Sequence, residues 1–140
     1  MEHTMTTKTS THRWFARVVW FGILANWAFA AWVLFCDPNA LMRLFGLGEL
    51  DTTIWLYNYS ILLIILSFFY IPAARDCVRY RANAWLLIVG RLVPTTAYFV
   101  GVFVGFMPQG FVILGLGDGL IGLIELWLMR SIVRAETTQS

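Results

Sequence analysis

No histidine lies in any of the long apolar runs of this chain; His3 and His12 both belong to the polar amino-terminal stretch MEHTMTTKTSTH. That removes the usual bis-histidine haem site from a helical bundle and argues against an intramembrane metal centre. Cysteine is equally sparse. Cys36 and Cys77 belong to no CxxC pair, and a complete apolar run separates them, which puts them at opposite membrane faces and beyond disulfide reach. There is no Ser–His–acid set, no phosphate-binding glycine loop and no HxxE metal pair. Catalysis by this chain alone is therefore not expected, and neither is a cofactor of its own.

Charge is the other scarcity. Only 13% of the 140 residues are charged while 59% are hydrophobic, whereas a water-soluble domain carries roughly a quarter charged. The solvent for most of the chain is lipid. The net charge of +2 comes from residues at the ends of apolar runs rather than from a patch that could track phosphates along a strand, so no nucleic-acid partner is expected.

Four runs approach or exceed the length that crosses about 30 Å of hydrocarbon: residues 14–35, 53–71, 84–106 and 111–129. A cleavable signal peptide competes for the first of these. The run from Trp14 to Phe35 is too long for a signal core, no small-residue cleavage site precedes Cys36, and Trp32-Val33-Leu34-Phe35 is not a lipobox. It is taken as a retained span. The expected object is all-α: an integral-membrane four-helix up-down bundle over residues 14–133, flanked by polar tails at 1–13 and 134–140.

Basic residues orient it. Lys8, Arg13, Arg17, Arg75, Arg79, Arg81, Arg130 and Arg134 fall on one side, and only Arg43 falls on the other, which predicts that both termini are cytoplasmic. Trp14, Trp32, Trp55, Trp85 and Trp127 then sit near span ends as an interfacial belt, with Trp20 and Trp27 deeper. Those two lie one heptad apart and either line a flat ligand or, as is commoner, face lipid or packed core. After the first span, DPNALMRLFGLGELD predicts a short interfacial helix: Asp37 caps it, Pro38 opens it, Gly46 and Gly48 stop it, and Leu41, Leu44 and Phe45 share a face. Asn58, Tyr57 and Tyr59 read as outer-interface anchors.

Within the last two spans stand Arg91, Asp118 and Glu125. A lone charge at mid-bilayer costs at least about 2.5–3.5 kcal/mol, so such groups turn inward and pair. Helical rise places Arg91 roughly 10–12 Å from the cytoplasmic start of its span, with Glu125 about one turn from the end of the last span and Asp118 about two turns deeper. Thr95 and Tyr98 follow Arg91 on its own face, Pro94 removes a helix hydrogen bond, and Asn26, Ser60 and Ser67 are placed to close a polar network from the other spans. Gly115, Asp118, Gly122 and Glu125 form one stripe; Gly115 with Gly119, and Gly101 with Gly105, make GxxxG pairs suited to close packing. Three readings stay open: a structural lock, a proton- or ion-handling relay, and a seat for a lipid or quinone headgroup.

Asp37-Pro38 with the sequel Leu44-Phe45-Gly46, Arg91 in the third span, and Gly117-Asp118-Gly119 in the fourth together resemble the small four-helix bacterial membrane proteins grouped as DoxX-like, over about Trp14–Val133. The resemblance implies a bacterial inner-membrane setting near quinone-linked redox complexes. A cysteine pair like that of the thiol-handling members is absent here. The expectation is a non-catalytic accessory or anchoring subunit of a larger membrane complex, redox or respiratory, whose partners are membrane lipids and other integral-membrane subunits. The alternatives are a quinone-reactive subunit and a small proton-coupled transporter.

Overall fold

A computed structural model describes residues 10–138. Those residues form five helices and no strand: α1 (Ser10–Phe35), α2 (Pro38–Leu44), α3 (Ile54–Arg75), α4 (Arg81–Val104) and α5 (Phe111–Thr137). All but α2 are long and apolar enough to cross a membrane. The first nine residues of the polar tail, Lys8 and His3 among them, lie outside the described residues. Its remainder does not stay a tail, because α1 already includes Ser10–Arg13.

The long helices close a ring in which α1 packs on α3 and α5, and α4 packs on α5 and α3, while α2 leans on α1. Two apolar clusters fill it. One joins Phe15, Val19 and Ile23 of α1 to Tyr70, Leu87, Ile88 and Met129. The other gathers Val33, Leu41, Met42 and Leu56 under α2. Between them lies a polar layer. Outward faces remain apolar, with Phe103, Trp127, Val93 and Leu120 among many large exposed side chains. In water such a surface would drive aggregation; in lipid it is ordinary.

Chain breaks fall where local chemistry demands them. α1 stops before Asp37 because a residue preceding proline avoids the helical region. Asp37 then caps α2, its Oδ1 accepting the Asn39 N–H at 2.9 Å with Pro38 opening the helix. Arg43 clamps this loop by pairing with Asp37 at 3.1 Å and Glu49 at 2.7 Å, and the Glu49 bond raises its already high pKa. The buried face of α2 departs from expectation. Leu41 and Met42 point inward, while Leu44 is 75% exposed, because a seven-residue helix can turn only one pair toward Val33 and Leu56. Gly46 and Gly48 adopt positive φ as the stop requires.

Other span limits also move. α3 continues from Ile71 to Arg75 through Pro72, and α4 begins at Arg81 rather than Ala84. α5 continues eight residues past Met129, taking in most of the expected carboxy-terminal tail. Hydropathy marks where lipid ends, whereas the helix itself runs on into water through Arg134, Ala135 and Glu136, which are good helix formers. Trp127 consequently lies well inside α5 rather than at its end. Asp76 turns the chain between α3 and α4 by accepting the N–H groups of Val78 and Arg79.

Gly105 is not a packing glycine. α4 ends at Val104, and Gly105 has φ 86°, its N–H returning to the carbonyls of Gly101 and Val102. Gly101 serves the same turn: a Cβ there would strike Met107 and Phe106, not α5. The other glycine stripe is real. Cβ atoms on Gly115, Gly119 and Gly122 would meet Tyr98, Thr95 and Arg91 with Leu92, respectively, so α4 and α5 cross at backbone distance. Gly119→Ala puts a methyl 2.8 Å from Thr95 Cγ2 and is expected to cost about 1–3 kcal/mol in detergent unfolding. Gly117→Ala, where the added methyl meets open space, should leave the midpoint unchanged or slightly higher.

Candidate functional site

The polar layer is built around Arg91, whose side chain is 4% exposed although it stands at the middle of α4. Its Nη1 donates to Asp118 Oδ1 at 2.6 Å, and its Nε lies 3.3 Å from Glu125 Oε2. The two carboxylates are seven residues apart on α5, roughly 10 Å along the axis, so one extended guanidinium bridges two turns. The expected triad is therefore assembled. With α5 running to Thr137, Glu125 lies twelve residues from the helix end, or about 18 Å.

Room for the guanidinium comes from α1. A Cβ on Gly22 would collide with Arg91 Nη2 and lie 2.9 Å from Cζ, so the head group presses against α1 backbone at a position that only glycine leaves open. Gly90 plays the matching part on α4, where the Tyr70 hydroxyl from α3 would sit 2.8 Å from an added Cβ. Tyr70 is buried and within electrostatic reach of Arg91, Glu125 and Asp118. Sequence reasoning missed Gly22, Gly90 and Tyr70. Only the i, i+4 relation of Gly90 to Pro94 offered a local signal, since the Gly90 carbonyl is the one Pro94 cannot engage.

Burial is uneven across the layer. Glu125 is 0% exposed while Asp118 is 32% exposed at the side chain. Among the described residues, Arg91 Nε and Nη2 and both Glu125 oxygens make ion-pair or packing contacts but no aligned hydrogen bond. Thr95 ties α4 to α5 by donating to the Gly115 carbonyl at 3.4 Å. Tyr98 stacks obliquely on Phe111, and Tyr98 and Asp118 both lie within electrostatic reach of Tyr59 on α3. Tyr59 thus joins the polar layer rather than serving only as an interface anchor.

Asn26 stands apart from the triad. It donates to Ser67 Oγ at 3.3 Å and so joins α1 to α3, while Ser67 and Ser60 donate to carbonyls one turn back on α3. Trp20 is exposed, and Trp27 packs beside Phe68 with ring centroids 5.8 Å apart. Pro94 is accommodated within a continuous α4. No family model, curated protein or solved structure matches this chain.

Chemically the centre is one cation held between two carboxylates and two helix backbones. Removing one member of a buried ion pair costs about 3–5 kcal/mol, because the orphaned charge stays buried, whereas replacing the whole set by neutral groups is often nearly neutral. Arg91→Leu is therefore expected to lower the unfolding free energy by about that amount in detergent. Arg91→Leu combined with Asp118→Asn and Glu125→Gln should regain most of the loss. Additive losses across the cycle would deny the three residues a shared network.

Proposed function

We propose that this chain is a non-catalytic integral-membrane accessory or anchoring subunit: an up-down bundle with both termini cytoplasmic, in a bacterial inner membrane, holding a larger redox or respiratory complex. The observation that carries the reading is the closure of the Arg91 centre. Its guanidinium pairs with Asp118 and Glu125 and packs against α1 at Gly22, so this concentration of intramembrane charge joins α1, α4 and α5 and serves to hold helices together. The outward surface meanwhile consists of large apolar side chains from four spans, suited to lipid and to neighbouring transmembrane helices. The DoxX-like resemblance supplies the redox setting.

A second reading rests on the unequal burial. Asp118 is partly open, and Tyr59 with Tyr98 beside it lies within its electrostatic reach, so a quinone or lipid headgroup with carbonyl and hydroxyl groups would find both a donor and an acceptor there. In this version the chain is the quinone-reactive subunit of an oxidoreductase. Its signature would be a bound quinone lost on Tyr98→Phe with Asp118→Asn.

Two measurements check the leading reading. Gentle extraction from native membrane followed by mass spectrometry is expected to recover a fixed set of integral-membrane partners; recovery of only a lone monomer would count against a subunit role. Orientation is checked with a membrane-impermeant maleimide. Exposed Cys36 should react from the outer side of spheroplasts, and buried Cys77 should not. Labelling of Cys36 only after permeabilisation would invert the topology.

A further inference from the structure

The arginines at the opposite end of the bundle do something the central one does not: they surround a space. The amino-terminal end of α1 and the carboxy-terminal ends of α3 and α5 enclose a cavity of about 720 Å³ whose walls include Arg13, Arg17, Arg75 and Arg79. Its floor is apolar and buried, formed in part by Ala73 and Ile132.

The acids on the same rim are engaged elsewhere. Asp76 Oδ1 accepts two backbone N–H groups, from Val78 at 3.2 Å and Arg79 at 3.0 Å. Glu136 pairs with Arg81 of α4. Among the described residues lining the cavity, arginines therefore outnumber acids. Two of its arginines are held by aromatic faces, Arg17 over Trp14 at 5.2 Å and Arg79 over Tyr80 at 5.4 Å, which fixes the guanidinium planes without using their hydrogen-bond donors. Trp14 and Tyr80 are exposed, and such rings favour headgroup depth in a bilayer.

We propose that this cavity seats the phosphate of an anionic phospholipid from the leaflet facing the basic ends of the spans. Forked guanidinium donors match phosphate oxygens in pairs, and basic pockets between transmembrane helices are natural sites for anionic headgroups. A free phosphate ion offers the same oxygens, but only the lipid also places acyl chains along the apolar outer faces of α1 and α3 beside the cavity. The inference rests on the membrane-spanning reading and on nothing in the accessory-subunit reading.

The test uses full-length protein in nanodiscs of phosphatidylcholine doped with phosphatidylglycerol. Incorporation resistant to alkaline carbonate checks the spanning reading separately, so its failure is distinguishable from failure of the site. The wild type is expected to retain phosphatidylglycerol preferentially in native mass spectrometry. Arg17→Gln with Arg79→Gln should weaken that retention about 25-fold, or about fivefold for each arginine. Arg130→Gln with Arg134→Gln, outside the cavity, should leave it unchanged. A photoreactive phosphatidylglycerol on the wild type gives a readout independent of variant folding, and should label peptides from the start of α1 and the α3–α4 turn. Equal loss in both variant pairs, labelling elsewhere, or binding of inorganic phosphate without any lipid preference would overturn the proposal.

Discussion

A guanidinium buried in hydrocarbon must find its counter-charges within the protein, and that requirement at Arg91 governs how three of the four long helices meet. Asp118 and Glu125 both stand on α5 and both are reached from one side chain of α4. Sliding α5 by one turn in either direction would break at least one contact in a medium where water cannot replace it. The same head group then needs space, and α1 supplies it only where residue 22 has no side chain. Register between α4 and α5 and the approach of α1 are thus consequences of a single desolvated cation.

Apolar burial alone would not specify this arrangement. Lipid tails satisfy Leu and Phe as well as a neighbouring helix does, so the driving force between spans comes from close backbone approach and polar pairing. The glycine stripe of α5 answers the first need and the Arg91 centre, Thr95 and the Asn26–Ser67 bond answer the second. The two apolar clusters lie on either side of the polar layer, filling volume that the polar contacts have already positioned.

What could be read in the sequence was whatever depends on one helix at a time. Four apolar runs, the Asp37-Pro38 start of α2, the glycine stops and the inward turn of Arg91, Asp118 and Glu125 each follow from local spacing. Features that depend on two helices were not legible. Gly22 looks like any glycine in an apolar span until the register of α1 against α4 is known, and Tyr70 and Tyr59 look like interface aromatics until α3 is placed beside α4. Gly105 misled for a related reason: GxxxG is a pattern of spacing, and the same spacing serves a helix end folding back on itself. The end of α5 misled because hydropathy reports solvent, not backbone, and Arg130, Arg134 and Glu136 continue the helix after the apolar run has ceased.

The distribution of positive charge divides the molecule by task. In the centre Arg91 is held between two carboxylates and pressed against α1, an arrangement that ties helices together. At the basic end the acids are committed to a turn and to Arg81, while Arg13, Arg17 and Arg79 line a cavity. The solvent-accessible polar groups thus lie at the edge of the bundle and on the partly open Asp118 side of the polar layer. A bundle built this way fixes its interior by polar contacts between helices and gathers its basic side chains at one rim.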